Sequence, residues 1–437
     1  MSCHTESADL LARKRRLADL QETKGQLSRQ IGAARAEGKL PSELIEQLKA
    51  ISCEAKALQK AIKSQLNTRP TSVTVQEPSL APAAVLDRPV PAGGLKVHEL
   101  QPDAEDAWSE YVSCHPGASF AHSLALRDAI AMTFGHNMRY LYASNRSGQI
   151  MGVLPLIQLK SWLFGNYVVS VPYFNYGGIL ADNIEAAGLL LQKARAWQRD
   201  LGADHVELRH AQTLGLELPK RVDKVSFWLG LPESETVLWR SFSPKVRAQI
   251  RRAEKETPDI AVGREELLEE FYRVFARNMR DLGTPVYSPE FFRNLLVCFP
   301  ETANIVAVRL RGKVVGAAFI MGFGSRLEIP WASTLREVNH TGVNMLMYWS
   351  ILKIAIHHRY EIFDFGRCTE HSGTYRFKKQ WGAQPIPLYW DYCLEAGGSL
   401  PGLNPDNPKF RILIAAWKRL PVFVTKILGP AIVRSLP

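Results

Sequence analysis

The sequence predicts an α+β protein in which one folding unit is used twice, behind a helical hairpin. Three observations carry that reading. Tyr140–Ile157, YLYASNRSGQIMGVLPLI, reads strand, turn, strand, and Asn304–Met321, NIVAVRLRGKVVGAAFIM, repeats the pattern. Gly148, Gly152 and Gly178 map onto Gly312, Gly316 and Gly342 with one common offset of 164 positions (148 to 312, 152 to 316, 178 to 342). After the helix-length segments come His205-Val206-Glu207-Leu208-Arg209 and Ile362-Phe363-Asp364-Phe365-Gly366-Arg367, both short apolar strands ending in an acid and an arginine. A shared offset across glycines at turns and helix starts marks an internal duplication. Hairpin, further strand, helix and strand, repeated, fit an α+β or mixed-sheet unit.

The elements follow in order. From Ser7 to about Gln65, Leu10, Leu17, Leu20, Leu27 and Ile31, then Leu44, Leu48, Ile51, Ala55, Leu58 and Ile62, keep a spacing of three and four, the seam of a coiled coil. Glu37-Gly38-Lys39-Leu40-Pro41-Ser42 stops one helix and restarts the next, so residues 1–66 are expected to form an antiparallel hairpin. Residues 67–94, with Pro70, Pro78, Pro82, Pro89 and Pro91, read as an extended linker. The two repeated units are expected at 95–232 and 233–395. Residues 396–437 form a basic C-terminal segment in which Pro408 to Ser435 contains no acid.

Composition narrows the function classes. With 437 residues, 46% hydrophobic and 22% charged, the chain is long enough for two or three globular domains. A net charge of +11 favours anionic partners: a phosphate-bearing substrate, nucleic acid or a membrane surface. Six cysteines without a Cys-x-x-Cys pair argue against a disulfide framework or a zinc site, so no metal is expected. Residues 1–16 lack an apolar core of the signal-peptide kind, and no run approaches a transmembrane helix, so a cytoplasmic location is expected. Neither a Walker motif nor a Rossmann fingerprint is present.

Candidate chemistry concentrates in the second unit. Asp364-Phe365-Gly366-Arg367 ends an apolar strand, and Ser372-Gly373-Thr374-Tyr375-Arg376-Phe377-Lys378-Lys379 follows, cations threaded through aromatic rings where α/β folds place ligands. Asp364 can take a proton from an attacking amine or hydroxyl, or it can pair with Arg367 or Arg376. Tyr375 and His371 are further acid–base candidates. Ser243 and Pro244 open a helix on which Arg247, Arg251 and Lys255 share one face, an anion site or an ordinary solvated basic surface. The glycine-bearing stretches Asn175–Gly178 and His340–Asn344 are read as helix starts able to cradle a pyrophosphate. The basic tail, with Trp417 and Phe423 interleaved, can lie on an anionic membrane surface or dock on the core.

Four stretches resemble the FemAB-like acyltransferases, most closely the subgroup associated with bacterial exosortase (PEP-CTERM) and exopolysaccharide systems. They are Phe164–Gly178, Asn278–Tyr287, Asp364–Gly382 and Asn407–Trp417, and together the similarity runs from Leu95 to the C-terminus. The resemblance implies two tandem GNAT-like (acyl-CoA N-acyltransferase-type) domains. It implies transfer of an acyl or aminoacyl group onto an amine or hydroxyl of a phosphate-bearing cell-envelope or exopolysaccharide precursor. It assigns Lys378 to the acyl carbonyl or the tetrahedral oxyanion. It assigns Lys245, Arg247 and Arg251 to substrate phosphates, while the residues themselves suggest Arg367, Tyr375, Arg376 and Tyr176 as substrate-binding candidates. No bound cofactor is implied, and the donor is acyl-CoA or aminoacyl-tRNA. The hairpin also resembles the tRNA-binding arm of seryl-tRNA synthetases over Leu27–Ala34 and Leu44–Leu58, so residues 7–65 read as an RNA contact or as a spacing or homo-oligomerisation arm. The other reading of the whole chain is a non-catalytic scaffold of an exopolysaccharide or exosortase-linked assembly, using the hairpin and the basic tail as docking surfaces.

Overall fold

The computed structural model describes residues 93–395, 398–401 and 408–436, residues 41–68, and scattered positions within 16–34 and 80–90. The chain divides into two compact units, Met1–Pro78 and Ser79–Pro437. In the first, helix α1 (Ser42–Thr68) covers the second arm of the expected hairpin. The described positions of 16–34 are helical, Leu20, Leu27, Ile31 and Ala55 are buried, and Arg16 pairs with Glu54 at 3.1 Å. The turn at 37–40 lies outside the described residues.

The second unit is built on two sheets. Its first half contains β1 (Lys96–Glu99), α2 (Glu105–Cys114), α3 (Leu124–Phe134), β2 (Met138–Ser144), β3 (Ile150–Ser161), β4 (Gly165–Val169), β5 (Leu180–Ala181), α4 (Ile184–Leu201), β6 (His205–His210) and β7 (Lys220–Arg221). The second half contains β8 (Lys224–Gly230), α5 (Glu235–Ser241), α6 (Pro244–Glu254), β9 (Asp259–Gly263), α7 (Leu268–Leu282) and α8 (Pro289–Cys298). It continues through β10 (Ala303–Leu310), β11 (Lys313–Phe323), β12 (Arg326–Thr334), α9 (Val343–His357), β13 (Ile362–Thr369), α10 (Gly373–Lys379), β14 (Gln384–Pro387) and β15 (Tyr389–Leu394). Helices α11 (Pro408–Trp417) and α12 (Val422–Val433) close the chain. One sheet runs β1-β2-β3-β4-β6-β15-β7 with β5 on β3; the other runs β14-β8-β13-β12-β11-β10-β9.

The duplication appears in this topology. The hairpins β2–β3 and β10–β11 correspond, with Gly148 and Gly312 at positive φ (84° and 73°) in their turns. Each half then has one parallel pair, β4 with β6 and β12 with β13. The expected cut at 232 does not separate the sheets, because a strand on each side of it pairs in the other side's sheet. β8 pairs with β13 and β14 in the second sheet, and β15 pairs with β6 and β7 in the first. The reason lies in the residues of β8. Val225, Phe227 and Leu229 fill one core while Trp228 fills the other, so the strand must be buried on both faces.

Two other expectations are corrected. Part of the linker is docked: Leu80 and Leu86 pack on core clusters, and Arg88 reaches the buried Asp182 at 3.1 Å. Asn175–Gly178 is not a helix start, since α4 begins at Ile184 with the Asn183 side chain accepting from the Ala186 amide. Gly178 is required there by contact, because a Cβ would fall 2.3 Å from the His210 ring.

Candidate active site

Parallel strands β12 and β13 are in register at Arg326–Ile362, Leu327–Phe363 and Glu328–Asp364, and then part. The separation has two local causes. In β12 the ladder to β11 shifts between Phe319 and Met321, where Ile329 and Pro330 are accommodated and Pro330 has no amide to donate. In β13 the ladder to β8 shifts between Asp364 and Arg367, at Gly366, whose φ of 73° suits glycine. The last paired residues are the carboxylates Glu328 and Asp364, side by side where the strands diverge.

Strand alternation sets the direction of these side chains. Phe363 and Phe365 enter the core shared with α6 and α9, so Asp364 faces the other side of the sheet, toward the first half of the fold. There the segment after β4 delivers Tyr176, whose hydroxyl donates to Asp364 Oδ2 at 2.5 Å and accepts from Trp228 Nε1 at 3.0 Å. Ser226 Oγ and the Gly366 amide donate to Asp364 Oδ1 at 2.7 and 2.8 Å. Asp364 is fully buried and fully engaged, and it pairs with neither Arg367 nor Arg376. Burial, with Asp364 alongside, raises the Tyr176 hydroxyl well above its ordinary pKa, so it keeps its proton to donate.

Glu328 differs from its neighbour. It is 2% exposed, Oε1 accepts one long bond from Asn175 Nδ2 at 3.3 Å, and buried Oε2 has no hydrogen-bond partner. Burial first, and the charge of Asp364 second, push its carboxyl well above the usual carboxylate range, against Arg326, Asn175 and Lys378. A carboxyl with a raised pKa and a free oxygen is equipped to accept a proton. The sequence reading passed over it. An acid inside the apolar run Leu327-Glu328-Ile329-Pro330-Trp331 was the available signal.

Lys378, on α10, is 4% exposed, and its ammonium donates to the carbonyls of Gly366 at 2.7 Å and Arg367 at 3.0 Å. It therefore holds the bulge and keeps one N–H to spare. Burial pulls its pKa down from 10.5 to about 8, while the charges of Cys368, Asp364 and Glu328 pull the other way. Arg326 lies over the rings of Trp228 (4.6 Å) and Tyr176 (5.2 Å), and the three help line a crevice that also includes His122, Gly178 and Gln212.

The remaining expected residues stand apart to differing degrees. Arg367 stacks on Trp390 at 5.0 Å, across from Arg209 on the same ring at 4.5 Å. Its side chain is exposed. Tyr375 packs edge-on against Phe227 and near His371; Arg376 is exposed. Lys245, Arg247 and Arg251 lie on α6, whose Val246, Ile250 and Ala253 pack on the sheet face opposite Asp364. Arg251 stacks on Trp239, and α6 lies on the far side of the sheet from the carboxylates. Their neighbour Arg252 lies against Gly342, the residue that caps α9.

The first half has the same strand divergence with a different filling. β4 and β6 part after Val169–Glu207, and Arg209 occupies the gap, bonding Glu207, Val171 O and Phe174 O. Tyr392 donates to the other Glu207 oxygen at 2.8 Å. In that gap both carboxylate oxygens of Glu207 are bonded, whereas Oε2 of Glu328 has no partner.

Residues 240–379 match the acetyltransferase (GNAT) domain family. The fold is of the GNAT acyltransferase type. Among solved structures, that of FemX superposes with a TM-score of 0.55 at 15% identity over 68% of this chain and 96% of that one. A tandem GNAT protein from the clavulanic acid biosynthesis pathway (TM-score 0.46, 12% identity, 70% and 100% covered) shows a weaker likeness. So does the C-terminal domain of a putative lysylphosphatidylglycerol synthetase from Agrobacterium fabrum (0.46, 11%, 68% and 92%). No curated protein sequence gives a significant match.

Proposed function

We propose that the chain is a FemAB-like acyl- or aminoacyltransferase acting on an amine or hydroxyl of a phosphate-bearing cell-envelope or exopolysaccharide precursor. The observation that carries the reading is the unpartnered Glu328 oxygen at the parting of β12 and β13. The motif resemblance to the exosortase-associated subgroup supports the acceptor class. Glu328, in its carboxylate form, takes the proton of the attacking amine or hydroxyl as the new bond to the acyl carbon forms. The carbonyl oxygen becomes an oxyanion, which the spare N–H of Lys378 faces as a fixed positive charge; such a donor is worth about 3 kcal/mol. Collapse expels the thiolate or ribose oxygen of the donor, which takes up a proton, and the amide or ester remains. The carboxylate of Asp364 holds Tyr176 and the Gly366 bulge in place. The cations of α6 and Arg252, beside the start of α9, are the phosphate contacts in this reading.

The donor is tested by binding of the full chain to a panel of acyl-CoAs and to charged and uncharged tRNA, repeated without residues 1–66. Preference for charged tRNA that depends on the arm supports aminoacyl transfer. Acyl-CoA binding unaffected by truncation makes the arm an assembly device. Binding of neither donor turns the balance to the scaffold reading.

A further inference from the structure

Independently of the transfer reading, two exposed apolar features lie at neighbouring places on the second unit. The first is the turn between β3 and β4, where Trp162 is 96% exposed and Leu163 59%. The turn is held, since Ser161 Oγ accepts from the amides of Leu163 and Phe164. The second is α12. Thr425, Gly429 and Val433, spaced by four, form its buried face, and Gly429 approaches Val286 so closely that a Cβ would meet its amide at 2.8 Å. The opposite face presents Phe423, Ile427 and Leu428 to solvent. The strand that follows the turn and the segment after it meet the C-terminal end of α12. Tyr167, four residues beyond Leu163, donates to Ser435 O at 2.6 Å, and Tyr173 donates to Arg434 O at 2.8 Å.

Charge selects the occupant. From Pro408 onward the chain has no acid and carries Lys409, Arg411, Lys418, Arg419, Lys426 and Arg434. Asp281, beside the Gly283 position against which α11 packs, is already paired with Arg280. A second copy would bring the same cations face to face. An anionic lipid surface meets both requirements, since apolar residues enter the acyl boundary while Lys and Arg stay with the headgroups. No helix among the described residues is long and apolar enough to cross a membrane. We propose that the Trp162–Leu163 turn and the outward face of α12 form a docking surface for an anionic bilayer.

The test is co-sedimentation of the full chain with phosphatidylglycerol-containing vesicles and with neutral phosphatidylcholine vesicles, at low and high salt. The expected result is salt-sensitive retention on the anionic vesicles. Retention should fall about tenfold in Phe423→Ser/Ile427→Ser and in Trp162→Ala/Leu163→Ser, and about fivefold in Lys426→Gln. All these side chains except Lys426, which lies over Tyr272, are offered to solvent, so thermal unfolding of the two double variants should match the parent. Equal retention on neutral vesicles, or full retention of both double variants, overturns the proposal. So does concentration-dependent self-association that Phe423→Ser/Ile427→Ser abolishes, which would assign the face to a second copy.

Discussion

Replacing Lys378 by methionine tests whether a buried cation holds the bulge in β13. The ammonium is 4% exposed, and burial lowers its pKa from 10.5 to about 8. A fall of that size corresponds to about 3 kcal/mol of differential cost for the charged form. Between pH 8 and 10.5 the unfolded chain still binds this proton and the folded one has released it. Stability of the parent therefore rises with pH through that window, and the cost is fully present below it. The methionine variant has no such proton. It also leaves the Gly366 and Arg367 carbonyls without their donor, at about 1–3 kcal/mol each. Urea unfolding of both proteins, from neutral pH to beyond the ordinary lysine pKa, should show the stability gap in favour of the parent widening by about 3 kcal/mol. A gap that stays constant across the range would mean that Lys378 is not a buried charge in the folded protein.

Other expectations follow from the same groups. Tyr176→Phe removes a donor to Asp364 and an acceptor for Trp228, both buried, and should cost about 2–3 kcal/mol by thermal or urea unfolding; an unchanged stability would remove Tyr176 from the site. Gly366→Ala should cost only about 1–2 kcal/mol, because the new Cβ meets nothing closer than 3.6 Å and the loss is backbone strain at φ 73°. A loss several times larger would show that the bulge has no room to adjust. If the charge of Lys378 serves transfer, initial rates should decline as pH rises through about 8, and a flat profile across that value contradicts it.

Much of this arrangement was legible in the chain. The common glycine offset marks the duplicated hairpins, and the aromatic, cationic stretch after Asp364 contains the lysine that braces the bulge. Tyr176 also emerged, although the helix assigned to its neighbourhood begins at Ile184. Glu328 did not emerge, because its meaning depends on a parallel register with a residue 36 positions later (328 to 364), which no local pattern encodes. The strand exchange was hidden for the same reason: β8 and β15 are short apolar runs whose partners lie across the chain. The basic helix shows another limit. Its spacing puts Arg247 and Arg251 on one face, but periodicity cannot say which side of a sheet the helix covers, and it covers the side away from Asp364.

The central claim is that the parting of β12 and β13 at Glu328 is catalytic whereas its counterpart at Glu207 is structural. The most direct measurement is single-turnover acyl transfer by Glu328→Gln with the donor that binding identifies, beside urea unfolding of the same protein. Glutamine cannot carry the charge that burial disfavours, so stability should be retained or raised. Loss of a general base should slow transfer by about 100-fold or more. Full transfer by a stable Glu328→Gln protein would contradict the account.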